Sequence, residues 1–172
     1  MLEDHAKIAT VIGQAGVIAG RKKLQKMIYI LQKIGFPFYE RFQFNFFGPY
    51  SDELTMQLEE LCNFGFLLEG QAEQDNGMGC RYRLSEAGES FIGHYKELLP
   101  DVQVITEKLL QESTSFLELV ATILYFDQIP ADSMNEKVQA LDKPFSDEEI
   151  KRARRYISEL QADQMLHLPV SK

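Results

Sequence analysis

The chain has 172 residues, 45% of them hydrophobic and 26% charged, with 12 Phe and 7 Tyr. That length and apolar content suit one ordinary domain, or two very small ones sharing a core, and exclude a chain disordered throughout. With 18 Lys+Arg against 26 Asp+Glu the net charge is −8, which argues against a surface built everywhere to hold nucleic acid or anionic lipid.

In chain order, Ile8, Val11, Ile12 and Ala15 recur at helical spacing and predict a first helix within residues 3–18 with a single buried stripe. Gly16 and Gly20 loosen the chain before a second helix. Its inner stripe is Leu24, Met27, Ile28, Leu31 and Ile34, with Lys22, Lys26 and Lys33 on the opposite side, and Gly35 and Pro37 end it. Phe42, Phe44 and Phe46 alternate with Gln43 and Asn45, the period of a short half-buried strand. Gly48-Pro49 reads as a turn. Ser51 caps a third helix whose first turn carries Asp52 and Glu53, charges suited to a helix N-terminus. Leu54, Leu58, Leu61 and Cys62 form its inner face, and Gly65 stops it.

Residues 66–73 and 80–84 read as two strands joined through 75–79, where Asn76-Gly77 supplies the positive-φ positions of a hairpin turn. The alternation puts Phe66, Leu68 and Ala72 on one face with Cys80, Tyr82 and Leu84. Glu69, Gln71 and Glu73 share the other with Arg81 and Arg83. Ser85 caps a fourth helix running through Phe91 and Ile92 toward Pro100. Helix, helix, short strand, helix, hairpin, helix is the order of a winged helix-turn-helix, assigned here to residues 1–99.

Residues 100–172 read as a helical module packed on that domain. Val102, Ile105 and Leu109 mark one helix, and residues 116–126 are apolar almost all round. Such a helix is buried on several sides, in this chain or against a second copy, and it is the expected route to a homodimer. Residues 134–141 form a shorter helix closed by Pro144. Ser146 and Glu149 make a capping box, and the helix they start turns Ile150, Ala153, Ile157 and Leu160 inward. The expected class is therefore α+β, mostly α.

Chemistry-bearing patterns are sparse. Cys62 and Cys80 are the only cysteines, too few for a disulfide framework and not spaced for zinc. His5, His94 and His167 are isolated, and glycines 13, 16 and 20 lack the spacing of a phosphate loop. No enzyme, cofactor or metal is expected. The acidic N-terminus has no apolar core of a secretory signal, and residues 116–126 are too short to cross a bilayer, so a cytoplasmic protein with no membrane association is expected.

The runs 20–31, 42–47 and 48–54 together resemble the YwgA family of bacterial proteins, with softer likeness at 121–125 and 143–145. More remotely, Lys23-Leu24-Gln25-Lys26 followed by Gly48-Pro49 resembles the SocA/Panacea antitoxin-type domain, which implies binding of a partner protein. Neither resemblance implies catalytic residues.

Residues 21–41 carry six positive charges, Arg21, Lys22, Lys23, Lys26, Lys33 and Arg41, against Glu40 alone. Two readings stay open for them: a phosphate-contacting face, or a solvated face pairing with the acidic third helix. The outward positions of that third helix, Asp52, Glu53, Gln57, Glu59, Glu60 and Asn63, hold four carboxylates and no cation, a poor surface for the DNA major groove. On the wing, Arg81 and Arg83 lie across from Glu73 and Gln71, partners that would occupy them. At least three of Phe42, Phe44, Phe46, Phe47 and Tyr50 should be core, leaving Phe47 and Tyr50 accessible. The basic run 151–155 should pair within its helix with the acids at 147–149. The expectation is a non-catalytic module binding a partner protein through Arg21, Lys22, Lys23, Lys26, Phe47, Tyr50, Asp52, Glu53, Glu59 and Glu60, with Arg81 and Arg83 on the wing. The alternative is a DNA-binding regulator that presents the basic second helix in a dimer.

Overall fold

The computed structural model describes residues 2–46, 48–71, 80–126 and 145–167. Phe47, the hairpin turn at 75–79 and the expected helix at 134–141 lie outside them. Among the described residues the elements run α1 (Glu3–Ala15), β1 (Val17–Ala19), α2 (Arg21–Lys33), β2 (Gln43–Asn45), β3 (Gly48–Tyr50), α3 (Asp52–Asn63), β4 (Leu67–Gln71), β5 (Cys80–Leu84), α4 (Glu86–Gly93), α5 (Gln103–Leu110), α6 (Thr114–Tyr125) and α7 (Asp147–His167), with a 3₁₀ turn at Lys96–Leu98. The class is α+β and mostly helical.

The predicted caps form. Ser51 Oγ accepts from Leu54 N–H, and Ser85 Oγ from Gly88 N–H, each at 3.0 Å. Ser146 and Glu149 satisfy each other's backbone donors at 3.1 Å, completing the capping box at the start of α7. Gly88 is required for a different reason: a Cβ there would lie 2.1 Å from the Phe66 carbonyl oxygen, so only glycine lets α4 approach the start of β4.

Three helices are more deeply buried than a single apolar stripe predicts. Every residue from Ala6 to Ile12 of α1, Leu24 to Leu31 of α2 and Phe116 to Leu124 of α6 is buried. The core is continuous across residue 100: α2 packs on α6, α1 on α5, and α6 on α7, and one hydrophobic cluster runs from Ala6 to Leu160. The self-association role expected of the 116–126 helix is therefore corrected. Its sides are taken up inside the chain by α2, β3 and α7, with only Tyr125 at its end 37% exposed.

Two sheets flank this core. β2 and β3 form an antiparallel ribbon pairing Phe44 with Pro49 and Asn45 with Gly48, so Gly48-Pro49 is strand and not the turn expected. The larger sheet has the order β1-β5-β4, and β1, which the sequence reading missed, pairs Ile18 with Tyr82. Its hairpin register also departs from expectation. Leu68 faces Arg83, Gly70 faces Arg81 and Glu69 faces Tyr82. Leu67 is buried while Leu68 is 40% exposed. The three consecutive apolar residues 66–68 left the phase of the alternation open, and a one-residue change of phase exchanges the two faces.

Candidate functional site

The basic cluster on α2 turns inward. Arg21 Nε donates to the Tyr82 hydroxyl at 3.1 Å, and its guanidinium lies 3.8 Å from Glu69. Lys22 stands 3.5 Å from Glu118, a carboxylate buried on α6, and Lys23 Nζ donates to the Leu110 carbonyl at 2.8 Å. Lys26 is the clearest correction. Expected on a solvent face, it is fully buried and donates to the Pro49 carbonyl at 2.6 Å. Burial pushes its ammonium down to about 8, against the opposing pull of Glu118. A residue of an eight-residue buried stretch has no outer face to occupy, so its cation finds a partner inside. Of the six cations in this stretch, Lys33 and Arg41 are exposed. Lys33 lies 5.7 Å above the Tyr29 ring and Arg41 3.6 Å from Glu53.

The Lys26 ammonium holds a junction. Gly48, with φ +82, sits where a Cβ would come 3.1 Å from Thr122 Oγ1 and 3.6 Å from Lys26 Nζ. One strand further on, Gln25 clasps Ser51 through two bonds, donating to its carbonyl at 2.8 Å and accepting from its N–H at 2.9 Å. Residues of α2, β3 and α6 are thus tied at one point, and the same clasp fixes where α3 begins.

From that fixed start, α3 projects an acidic stripe. Asp52, Met56, Glu59, Glu60 and Asn63 are all exposed and recur at helical spacing. Met56 is 61% exposed amid these carboxylates. Glu60 lies 3.5 Å from His5, whereas Asp52 and Glu59 have no cationic partner among the described residues. Gln57, expected on the outer face, is corrected: it is buried and its amide donates to Glu40 Oε2 at 3.3 Å. Glu40 is itself buried, and burial raises its carboxyl above the ordinary range. One oxygen of each side chain, Glu40 Oε1 and Gln57 Oε1, has no hydrogen-bond partner among the described residues.

The remaining predicted residues divide. Tyr50 is half-buried, its hydroxyl 2.8 Å from Thr55 Oγ1. Phe42 and Phe44 pack on the core against Tyr29, Tyr125 and Phe126, whereas Phe46 is 78% exposed. Arg81 and Arg83 are exposed on the outer sheet face without a carboxylate partner among the described residues, because the true register sets them beside Gly70 and Leu68. On α7, Lys151 pairs weakly with Glu148, while Arg152 forks to Glu112 at 2.7 and 3.0 Å and lies 3.8 Å over the Phe116 ring, a link between helices that intrahelical spacing did not anticipate. Cys62 and Cys80 are free and half-buried; burial raises the first thiol, and a bond to Glu69 the second. Among the described residues no group of three or more His, Cys, Asp or Glu side chains is placed to hold a metal ion, and no helix is long and apolar enough to cross a membrane.

Comparison with known proteins adds a relative that spans nearly the whole chain. The uncharacterized protein YwgA of Bacillus subtilis (strain 168) is 46% identical over 162 residues, covering 93% of this chain and 98% of that protein. The chain belongs to the YwgA family. No family model matches it. In this YwgA-family chain, three of the five segments that carried the sequence resemblance, 20–31, 48–54 and 121–125, meet around Gly48 and Pro49. The family-like residues thus build the junction between α2, β3 and α6. Sequence reading missed Glu118 and Thr122 at that junction, and Val17, Met56 and Leu68 on the surface. A single acid inside an otherwise apolar helix was the available signal for Glu118.

Proposed function

We propose that this YwgA-family chain is a non-catalytic winged-helix interaction module that docks a protein partner on α3. The element order supports the winged-helix reading: helix, short strand, helix, an added two-stranded ribbon, helix and a hairpin, with the first strand joining the sheet beside the hairpin. The single observation that carries the function is the exposed stripe of α3, with three carboxylates, no cation and an exposed methionine. A polyanion is repelled by such a surface, whereas a basic protein face is selected by it and Met56 supplies apolar contact. The inward-turned cations of α2 support the same reading, since they leave the second helix little charge to offer a phosphate backbone. The two free cysteines fit a reducing cytoplasm.

One observation favours DNA instead: Arg81 and Arg83 on the hairpin have no carboxylate partner among the described residues. The experiment that separates the readings is affinity capture with the wild-type chain and a Glu59→Arg/Glu60→Arg variant, alongside duplex binding over a salt series. The proposal expects a protein retained by wild type, lost from the variant and released by salt. Duplex binding that weakens steeply with salt and disappears in an Arg81→Gln/Arg83→Gln variant would favour the regulator reading.

A further inference from the structure

Two exposed faces of this chain carry opposite charge, and each includes exposed apolar surface. One is the α3 stripe. The other is the outer face of the three-stranded sheet, where Arg81 and Arg83 stand two residues apart on the central strand, roughly 6.7 Å along it. In register with Arg83 are Val17 and Leu68, 44% and 40% exposed. In register with Arg81 are Ala19 and Gly70, and a Cβ at Gly70 would meet nothing within 4 Å. The result is a concavity of about 260 Å³ lined by Arg81, Arg83, Val17, Leu68 and Gly70, with Glu69, which lies 3.8 Å from Arg21, at its side. Antiparallel sheets commonly leave one face in water, but that face is then usually polar along its length. Here its non-arginine positions among the described residues are small or apolar.

We propose that the α3 stripe of one copy seats on this sheet face of a second copy, reciprocally about a twofold axis. Glu59 and Glu60 meet Arg81 and Arg83, and Met56 covers Leu68 and Val17. The carboxylates have the forked geometry that guanidinium groups accept. A helix laid across an open sheet face is the ordinary way to complete a second layer. α3 leads into β4 through Gly65, so both complementary faces belong to consecutive elements, and a twofold rotation gives two equivalent contacts and a closed pair. The inference rests on reading α3 as a protein-docking helix, and it names the docked protein as another copy of this chain.

The test is the mass of the full-length chain by sedimentation equilibrium at about 50 and about 500 mM salt. A dimer is expected at low salt, with its dissociation constant rising about tenfold or more at high salt. The Glu59→Arg/Glu60→Arg and Arg81→Glu/Arg83→Glu variants should each be monomeric with wild-type thermal unfolding. Mixed together they should form a one-to-one heterodimer, since both reciprocal contacts regain opposite charges. A wild-type monomer at low salt, or a dimer that both variants keep, overturns the inference. So does a duplex bound by wild type and released by Arg81→Glu/Arg83→Glu, which assigns the face to nucleic acid. A monomeric wild type that still loses a foreign protein on Glu59→Arg/Glu60→Arg removes the dimer and leaves the α3 reading standing. A dimer kept by the α3 variant alone removes both.

Discussion

Helices α2 and α3 carry opposite charge, and the fold uses those charges in opposite ways. On α2, the cations of the first two turns reach a tyrosine hydroxyl, a buried glutamate and two backbone carbonyls. On α3, the carboxylates stay in water, and the helix buries only Leu54, Gln57, Leu58 and Leu61. Apolar content explains the difference. α2 supplies eight consecutive residues to the core and lies between β1, β3, α5 and α6, so charge at its centre must be satisfied by neighbours. α3 lies at the periphery and keeps a free face. A run of basic residues therefore says little about a partner until the burial of its helix is known.

The comparison can be broken first at Lys26, where the largest effect is expected. Its ammonium is charged in the unfolded chain up to about 10.5 but in the fold only up to about 8. Between those values the unfolded chain binds more protons, so this group raises stability as pH climbs through that window, by about 3 kcal/mol. Denaturant unfolding of wild type and Lys26→Met across pH 7 to 10.5 should show wild type gaining that amount on the variant. A constant difference would mean that Lys26 is not buried as a cation.

Gly48→Ala tests the junction that Lys26 holds. The positive φ and the 3.1 Å approach to Thr122 predict a loss of about 2 kcal/mol by urea unfolding, with the α3 surface chemistry unchanged. Glu40 sharpens the contrast from the acidic side, because it is the buried carboxylate beside α3. Its folded pKa is raised, so the folded chain holds this proton more tightly, and its contribution to stability falls as pH rises above the ordinary carboxylate range. By urea unfolding, Glu40→Gln should gain stability relative to wild type as pH rises from about 4 to about 7. The smallest effect belongs to the free face: Glu59→Gln should change unfolding stability by no more than about 0.5 kcal/mol, although it weakens docking.

Much of the fold was legible in the sequence. Local signals carried it: the caps at Ser51, Ser85 and Ser146, the inward set Ile150, Ala153, Ile157 and Leu160, and the strand at 80–84 all appear as read. What escaped was set by contacts distant in the chain. β1 has three residues and becomes a strand only because β5 lies beside it. The hairpin phase could not be fixed from Phe66-Leu67-Leu68, and with it went the setting of Arg81 and Arg83. Helical spacing put Lys26 opposite the core of α2, but β3 and α6 pack on that side too. Of the outward positions read for α3, Asp52, Glu59, Glu60 and Asn63 are exposed, Glu53 is half-buried beside Arg41 and Gln57 is buried, so this peripheral helix largely obeys the one-face pattern.

The most direct test of the account is fluorescence anisotropy of a labelled DNA duplex titrated with the full-length chain across a salt series. Cations directed inward on α2 and carboxylates directed outward on α3 predict weak association, no sequence preference and no change on Lys22→Gln/Lys23→Gln substitution. Tight, sequence-selective binding that falls steeply with salt and collapses in that variant would contradict it.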